Sequence, residues 1–411
     1  MAVRTETASL RRPSPALRWV RENLFNNWYN SVLTVIFGAL FIWVGFSLLR
    51  WVFFRAEWEI VRVNLTLFMV GRFPRDELAR IWVSNYMIVG AIGLMAGAAT
   101  ASAAAAAKEA GLPFVQSKLQ DLIQRFWPVL LLVAALLQFS RTWTPTIMTV
   151  GMVVIGVAAR FAGLHLPRVI RRYAWVLVAL LLIGAYGALV WFGGFGWDDW
   201  GGLHLTLFVT VAGIILAFPL GLLFALGRRS TLPLVRLLSV TYIEFIRGVP
   251  LITLLLMGAF ALKFLLPPGM DLSLVSRLVV AIMLFTAAYV AENVRGGLQA
   301  VPKGQTEAGQ ALGLPAWKVM RLIVLPQALR AVIPAMVGQF ISLFKDTSLL
   351  VVVGVFELLA VSSIANNQPE FLGKGLAEVT LPFVAVIYWV GAYTMSRESR
   401  RLEKKLGVGE R

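Results

Sequence analysis

Residues 204–227 read HLTLFVTVAGIILAFPLGLLFALG, a run that contains no Asp, Glu, Lys or Arg. A helix of this length rises about 36 Å, enough to cross roughly 30 Å of hydrocarbon. The run is apolar on every side, whereas a helix on the surface of a soluble protein keeps a polar face. Residues 204–227 therefore predict a helix that spans a membrane.

Similar runs recur along the whole chain, which is 59% hydrophobic and only 14% charged, against about 25% charged in soluble domains. We predict an all-α fold, a polytopic transmembrane helical bundle of about ten spans. The third span is short and the fourth follows closely, so a broken or re-entrant pair within 127–163 stays open. The spans are expected at about 32–54, 86–107, 127–140, 145–163, 173–193, 204–227, 238–263, 276–294, 332–356 and 379–396.

The net charge of +17 would suit nucleic acid, but the basic residues lie in short segments between spans. If both termini are cytoplasmic, the inside segments hold 26 Lys and Arg residues and the outside segments hold nine. Cytoplasmic segments of membrane proteins carry this excess. The chain is therefore predicted to be a multi-pass protein of the bacterial inner membrane with both termini inside. The exception is segment 55–80, which would place five arginines outside beside four acidic residues.

Cysteine is absent, and the two histidines, His165 and His204, lie far apart at span boundaries. Without cysteine there is no disulfide, thiolate ligand or cysteine nucleophile. We therefore predict no catalytic residues, no metal site and no cofactor bound by this chain. A membrane enzyme, such as a lipid transferase, would need a cluster of acids, bases or ligands at one interface.

The segment 299–330, QAVPKGQTEAGQALGLPAWKVMRLIVLPQALR, is too long and too ordered to be a simple connector. Pro302 suits the first turn of a helix, and Gly313 suits its end because glycine tolerates a left-handed turn. Pro315 opens a second helix with an apolar face. The pattern predicts a helix, a glycine turn and a helix on the cytoplasmic face, a projection suited to docking into a partner's groove.

This loop resembles that of ABC importer permeases, which reads E-A-A, three residues, G, nine residues, I, any residue, L-P. The third position is Gly309 where the family has alanine, a change expected to loosen the first helix by about 1 kcal/mol. The register is kept, and the matching residues are Glu307, Ala308, Gly313, Ile323, Leu325 and Pro326.

Further strings narrow the resemblance to the polar amino-acid uptake family of histidine, glutamate and glutamine type. The N-terminal string WVRENLF (19–25) is similar to the general L-amino-acid permease subgroup, which carries extra spans before the core. The core strings are GLHLTL (202–207), YIEFIRGVPLI (242–252), AENVRGGLQ (291–299) and FKDTSL (344–349).

The resemblance implies a type I ABC importer permease core of five spans, and it implies partners. These are a cytoplasmic ABC ATPase dimer, a homologous second permease subunit, a periplasmic amino-acid-binding protein and an amino-acid substrate. Residues 307–326 would form the coupling helices. The phosphate-binding pattern G-x-x-x-x-G-K-[ST] is missing from the sequence, so ATP and Mg would be used by a partner subunit and this chain is not expected to be an enzyme.

These expectations divide the chain into five parts. They are a cytoplasmic N-terminal tail (1–31), an N-terminal five-span extension (32–192), a periplasmic Gly/Trp linker (193–203), a permease core (204–397) with a coupling loop (298–330), and a cytoplasmic tail (398–411).

Ionisable residues inside spans are costly and usually face the protein interior or a water-filled path. Glu244 and Arg247, and likewise Glu292 and Arg295, are three residues apart, so each pair shares a helix face. The interpretations that stay open for them are structural locking and a role in the substrate path. The adjacent Lys345 and Asp346 lie near the centre of a span, and two interpretations stay open for them, a structural clamp and the substrate path. A zwitterionic amino acid needs partners for both of its charges, and Thr347 could add a hydroxyl contact.

The competing function is a secondary amino-acid transporter or channel that works without ATP. Such transporters often show an inverted repeat of their two halves, and no clear repeat is visible here.

Overall fold

The computed structural model describes residues 14–111, 113–114, 119–190 and 200–407. The predicted linker at 193–203 lies mostly outside these residues, as do the first part of the N-terminal tail and the end of the C-terminal tail. The chain forms two compact units, 1–58 and 59–411.

The first unit holds α1 (Pro15–Asn23) and α2 (Trp28–Phe54). The Asn27 side chain caps α2 by accepting a hydrogen bond from the backbone N–H of Asn30 at 2.9 Å. None of the described side chains of α2 is buried within the protein. A helix of 27 residues that is apolar all round has the length and composition of a membrane span.

The second unit begins with the remaining helices of the extension and continues into the core. The extension helices are α3 (Glu59–Val70), α4 (Leu78–Glu109), α5 (Leu119–Phe139), α6 (Thr144–His165), α7 (Arg168–Arg172) and α8 (Ala174–Val190). The core helices are α9 (Gly202–Gly227), α10 (Pro233–Gly248), α11 (Leu251–Leu256), α12 (Leu262–Leu265), α13 (Leu274–Ala300), α14 (Lys303–Ala311), α15 (Ala316–Val319), α16 (Leu325–Asp346), α17 (Leu358–Asn366) and α18 (Ala377–Leu406).

The structure confirms a polytopic helical bundle, with slightly fewer spans among the described residues than predicted. Within the described residues, eight helices have the length and composition of a span. The helices α10–α12, bent by 106°, would make a ninth, so the described residues hold up to nine of the ten predicted spans. The remaining predicted span, at 173–193, is the apolar helix α8, which is shorter than the others. The segment 127–163 is not a broken or re-entrant pair: α5 and α6 are two separate helices of 21 and 22 residues.

The bundle has two ends. The end that carries residues 301–324 is called the loop end, and the other is called the far end. The core helices α9, α13, α16 and α18 connect them, and buried side chains such as Leu205, Ile282 and Leu343 fill the space between these helices. The helices α10–α12 lie against α13 and depart from regular geometry twice, at the bend after Gly248 and at a π-helical turn over Met257–Ala261.

The five arginines of segment 55–80 surround α3, a helix of only 12 residues at the far end. Several have partners within this part of the chain: Arg80 bonds to Glu77 at 2.5 Å, and Arg75 donates to the Gly71 carbonyl at 3.2 Å. The Glu77 carboxylate thus offsets the charge of Arg80 in the segment that is the exception in the charge distribution, whereas the bond of Arg75 to a carbonyl leaves its charge in place.

Glycines join α4 to α6. A Cβ atom on Gly93 would lie 2.5 Å from the carbonyl oxygen of Gly156, and one on Gly97 would overlap the carbonyl oxygen of Arg160. A Cβ on Gly163 would meet the backbone of α4 in the same way. The Gly93–Gly97 spacing, a pattern common by chance in a chain with 35 glycines, therefore marks a close helix crossing of the kind found in membranes.

Candidate functional site

The loop end carries the predicted helix–turn–helix. The first helix, α14, begins after Pro302, and Gly313 follows it with a φ of +75°, a left-handed conformation that favours glycine. Pro315 precedes α15, and a π-helical turn over Met320–Val324 leads into α16. Pro302 is the residue before the helix rather than a member of its first turn, a shift of one position.

Gly309, which replaces the family's alanine, is buried where α14 meets the second helix. A Cβ atom at this position would lie 2.9 Å from a methyl group of Val319 and 3.0 Å from the end of Ile323. The glycine lets α14 pack closely against these two side chains. Gly309 therefore lowers the helix propensity of α14 but allows a close packing contact, which the sequence pattern did not indicate.

The outer surface of the loop is unusually apolar for exposed residues. The side chains of Leu312, Trp317 and Leu322 are 80%, 61% and 62% exposed. Glu307 and Ala308 are exposed on the same helix–turn–helix. An exposed apolar patch with a few charges around it is typical of a protein–protein contact.

The predicted residues Leu325 and Pro326 lie at the start of α16, where Pro326 occupies the first turn. The adjacent Gln327 side chain donates to the Ile323 carbonyl at 2.9 Å and to the Gln305 side chain at 3.2 Å. The second of these bonds connects the first helix of the loop to the start of α16.

Near the loop end, two predicted pairs belong to one ionic network. Arg295 and Glu292 are paired through two hydrogen bonds at 2.9 and 2.5 Å. Glu244 and Arg247 are not paired with each other in the described structure: Glu244 bonds to Arg228 at 2.9 Å, and Arg247 lies 3.7 Å from Glu292. The helix α10 ends at Gly248, and its last turn directs Arg247 toward α13 and the ring of Tyr289.

Arg228 also lies 3.6 Å from Glu292. The network therefore joins the end of α9, the end of α10 and the end of α13 through a single carboxylate. Its charges are partly exposed, so its contribution to stability is modest. Its geometry nevertheless links three spans beside the helix–turn–helix.

The other predicted cluster, Lys345, Asp346 and Thr347, lies where α16 gives way to a 3-10 turn over Thr347–Val353. Lys345 is exposed and Asp346 is half-buried, and within the described part of the chain neither side chain forms a hydrogen bond or ion pair. Thr347 is buried, donates to the Phe344 carbonyl at 2.7 Å and lies 3.4 Å from the hydroxyl of Tyr388.

The structure adds two residues that the sequence analysis did not single out, Glu357 and Tyr388. Glu357 lies outside the spans, just before α17, and is 0% exposed. Its carboxylate accepts hydrogen bonds from the backbone N–H groups of Leu359 and Ala360, both at 2.7 Å, and from the Tyr388 hydroxyl at 3.0 Å.

Burial raises the pKa of Glu357 to about 7, and the three hydrogen bonds oppose that rise without cancelling it. The sequence signal was available: Glu357 is the one acidic residue within the apolar stretch 347–369.

No group of three or more His, Cys, Asp or Glu side chains in the described residues is arranged to hold a metal ion. The chemistry that the described groups offer is instead recognition of charge and hydrogen-bonding groups. The ionic network lies at the loop end, and Thr347, Glu357 and Tyr388 lie toward the far end.

The chain is similar to known transport proteins. Residues 217–407 match the model of the family described as "Binding-protein-dependent transport system inner membrane component". The inner membrane amino-acid ABC transporter permease protein YhdY of Escherichia coli (strain K12) is 35% identical, over 96% of this chain and 94% of its own length.

The glutamate/glutamine/aspartate/asparagine transport system permease protein BztC of Rhodobacter capsulatus is 34% identical, over 98% of both chains. The crystal structure of an amino acid ABC transporter with histidines covers 50% of this chain and 92% of its own, at 31% identity and a TM-score of 0.45. Because two relatives match over nearly their whole length, this chain belongs to the family of amino-acid ABC transporter permeases and is the membrane-spanning permease subunit of an amino-acid importer.

Proposed function

We propose that this chain carries polar L-amino acids across the bacterial inner membrane as one half of a permease pair, with both termini in the cytoplasm. Separate ATPase subunits supply the energy, and a periplasmic binding protein delivers the substrate. The excess of basic residues in the segments that would be inside supports this orientation. Under it, the loop end is cytoplasmic and the far end is periplasmic.

The observation that carries this proposal is the helix–turn–helix at the loop end. It combines the exposed Leu312, Trp317 and Leu322 with a hydrogen bond from its first helix to the start of α16. An ATPase subunit that holds this apolar surface would move α16 when nucleotide closes the ATPase pair. The predicted coupling residues Glu307, Ala308 and Gly313 lie on the same projection.

The substrate class is proposed from BztC, whose name specifies acidic and amide amino acids. Within this chain, Lys345 and Asp346 are the proposed groups of the translocation route. Both lie in the last turn of α16, where the helix changes to the 3-10 turn, and Asp346 is half-buried. Thr347 joins them to the buried Glu357 and Tyr388.

The function is tested by reconstituting the chain with its second permease, ATPase and binding protein in liposomes. Uptake of labelled glutamate or glutamine should require ATP on the loop side. Leu312→Asp should abolish ATPase binding and uptake, whereas Arg400→Asp, an exposed change outside the loop, should leave both intact. Uptake by the chain alone, or without ATP, would instead establish a secondary transporter or channel.

The orientation is tested separately in whole cells. Because the chain lacks cysteine, a single introduced cysteine is the only site in this chain that a thiol reagent can label. A membrane-impermeant thiol reagent in the periplasm should label Met270→Cys, between two core spans, and should not label Leu312→Cys. The reverse pattern would place the helix–turn–helix outside and overturn the proposal.

A further inference from the structure

The short helix α3 of the N-terminal extension packs one face onto the far end of the core. The side chains of Ile60, Val61, Asn64 and Phe68 are buried at positions that share one side of a helix. The ring of Phe68 meets the ring of Phe383, at the start of α18, edge to face at 5.0 Å. Since α3 is too short to span a membrane, its contribution is this contact.

A pair of amides fixes the position of α3 on the core. Asn64, only 5% exposed, donates to the Gln368 side chain at 3.0 Å, and Gln368 donates back to Asn64 at 2.7 Å. Gln368 follows α17 by two residues. Because a buried amide that loses its partner is left unsatisfied, this pair specifies one register between the two helices.

The backbones of the extension and the core approach each other beside this pair. A Cβ atom on Gly71 would overlap the backbone of Gly201, and one on Gly202 would overlap the carbonyl of Phe68. Gly202 in turn donates its N–H to the Phe356 carbonyl at 2.8 Å. These contacts leave no room for a side chain between α3, the start of α9 and the residue before Glu357.

A charged contact completes the attachment. The Arg72 guanidinium lies 3.7 Å from the centre of the Phe356 ring, close enough for a cation–π interaction. Phe356 is the residue next to Glu357, whose buried carboxylate caps α17 and binds Tyr388. The segment 356–368 contains the buried carboxylate of Glu357. The extension thus contacts this segment at both of its ends, at Phe356 and at Gln368.

The extension reaches the core a second time, at the loop end. Arg125 of α5 pairs with Glu398 of α18, with Nε 2.7 Å from the carboxylate, and Arg401 shares that carboxylate at 2.9 Å. At the other end of α18, Phe383 contacts Phe139 of α5 as well as Phe68. The last span of the core is therefore held by extension residues near both of its ends.

From these contacts we propose that Asn64 and Arg72 are positioning residues for transport: they hold α17, with Glu357, against the extension throughout the cycle. The extension is then a fixed brace, and other parts of the core carry the movement that opens the far end. This inference rests on the proposed function, because it assumes that the far end opens and closes during ATP-driven uptake.

The sharpest test uses the absence of cysteine from the chain. The double variant Asn64→Cys/Gln368→Cys is joined by a short bifunctional methanethiosulfonate reagent in the reconstituted four-component transporter. The cross-linked complex should retain the ATP-driven uptake of the same complex before treatment, with each single-cysteine variant as the reagent control. Uptake that stops on cross-linking and returns on reduction would show that α17 leaves α3 in the cycle, and would overturn the inference.

A second test separates positioning from simple stability. Asn64→Ala should raise the ATP hydrolysed per amino acid transported by about fivefold, the lower end of ordinary coupling between sites. Thr66→Ala, exposed on the same helix, should not change this ratio, and the exchange Asn64→Gln/Gln368→Asn should restore much of the coupling by keeping two facing amides.

The ratio is measured per assembled complex, so a loss of assembly alone does not alter it. An unchanged ratio in Asn64→Ala would overturn the positioning role. If the unaltered complex shows no ATP-driven uptake at all, the proposed function fails instead, and the two failures are distinguished by that one measurement.

Discussion

The extension and the core are two helical regions that hold their spans together by different means. In the extension, α4 and α6 meet at Gly93, Gly97 and Gly163. At these glycines the backbone of one helix lies directly against the backbone of the other. In the core, the ends of α9, α10 and α13 meet through the carboxylate of Glu292, and α17 is capped by the buried Glu357.

The difference follows from the medium. Lipid tails do not drive apolar helices together, so close backbone packing is the means by which purely apolar spans associate. A buried charge is costly there and is retained where a function uses it. At this crossing the extension packs backbone against backbone, whereas the core carries the bent helices and the ionic network.

The largest expected effect is at the glycine crossing. Gly97→Leu would drive a side chain into the α6 backbone and should destabilise the extension by about 3 kcal/mol, the upper range for overpacking. Gly38→Leu in α2, where a Cβ atom would meet nothing within 4 Å, should not destabilise the chain and should instead gain up to about 1 kcal/mol of helix propensity. Thermal unfolding of the purified chain in detergent compares the two. Equal melting temperatures would mean that α4 and α6 do not depend on that crossing.

A smaller and pH-dependent effect is expected in the core. Because burial raises the pKa of Glu357 to about 7, its protonated form is the one that the fold favours. The favourable contribution is complete below the ordinary glutamate pKa of about 4.3 and is lost as the pH rises through 7. Each tenfold difference in proton affinity between the folded and unfolded chains corresponds to about 1.4 kcal/mol.

Glu357→Gln keeps the shape and removes the titration. Melting temperatures of the unaltered chain, measured from pH 5 to pH 8, should therefore fall relative to those of Glu357→Gln. Glu370→Gln, exposed in the segment after α17, is the control and should follow the unaltered chain at every pH. A constant difference between the Glu357→Gln variant and the unaltered chain would contradict the raised pKa.

The features predicted correctly from the sequence depend on composition along one helix. Nine of the ten predicted apolar runs correspond to candidate spans, one of them bent, and Pro302, Gly313 and Pro315 mark the helix–turn–helix. Both features are determined by residues that are close together in the sequence. The misjudged features depend on neighbours that are distant in sequence. Glu244 bonds to Arg228 from the preceding span rather than to Arg247. For segment 127–163, the sequence did not show what the two short apolar runs pack against, so two separate helices could not be distinguished from a broken pair.

The same reason explains what was missed at the candidate site. The sequence shows Glu357 as a lone acidic residue in an apolar stretch, but its burial and its bond to Tyr388, 31 residues later, are visible only in the structure. Likewise, α3 becomes part of the far end only through Gln368, 304 residues away. The Gly93–Gly97 spacing was equally uninformative until α6 supplied the facing Gly163. The roles of the loop residues and of Lys345, Asp346 and Thr347 in transport stay predictions.

The smallest expected effect is at Gly309. At this position a glycine of the core allows close helix packing, as the glycines of α4 and α6 do in the extension. Replacing a helical glycine by alanine usually adds about 1 kcal/mol of stability. At Gly309 the new methyl group would crowd Val319 at 2.9 Å, and the two terms should nearly cancel. Gly304→Ala, in the same helix but with nothing within 4 Å of its Cβ, should show the full gain.

The double variant Gly309→Ala/Val319→Ala tests the cause directly. Shortening Val319 removes the crowding, so the alanine at 309 should be more favourable in that background than in the unaltered one. Melting temperatures of the four combinations give the coupling between the two positions, and a value of zero would mean that α14 does not rest on Val319. In that case the change from alanine to glycine would only loosen α14, and the loop would transmit force less rigidly than its packing indicates.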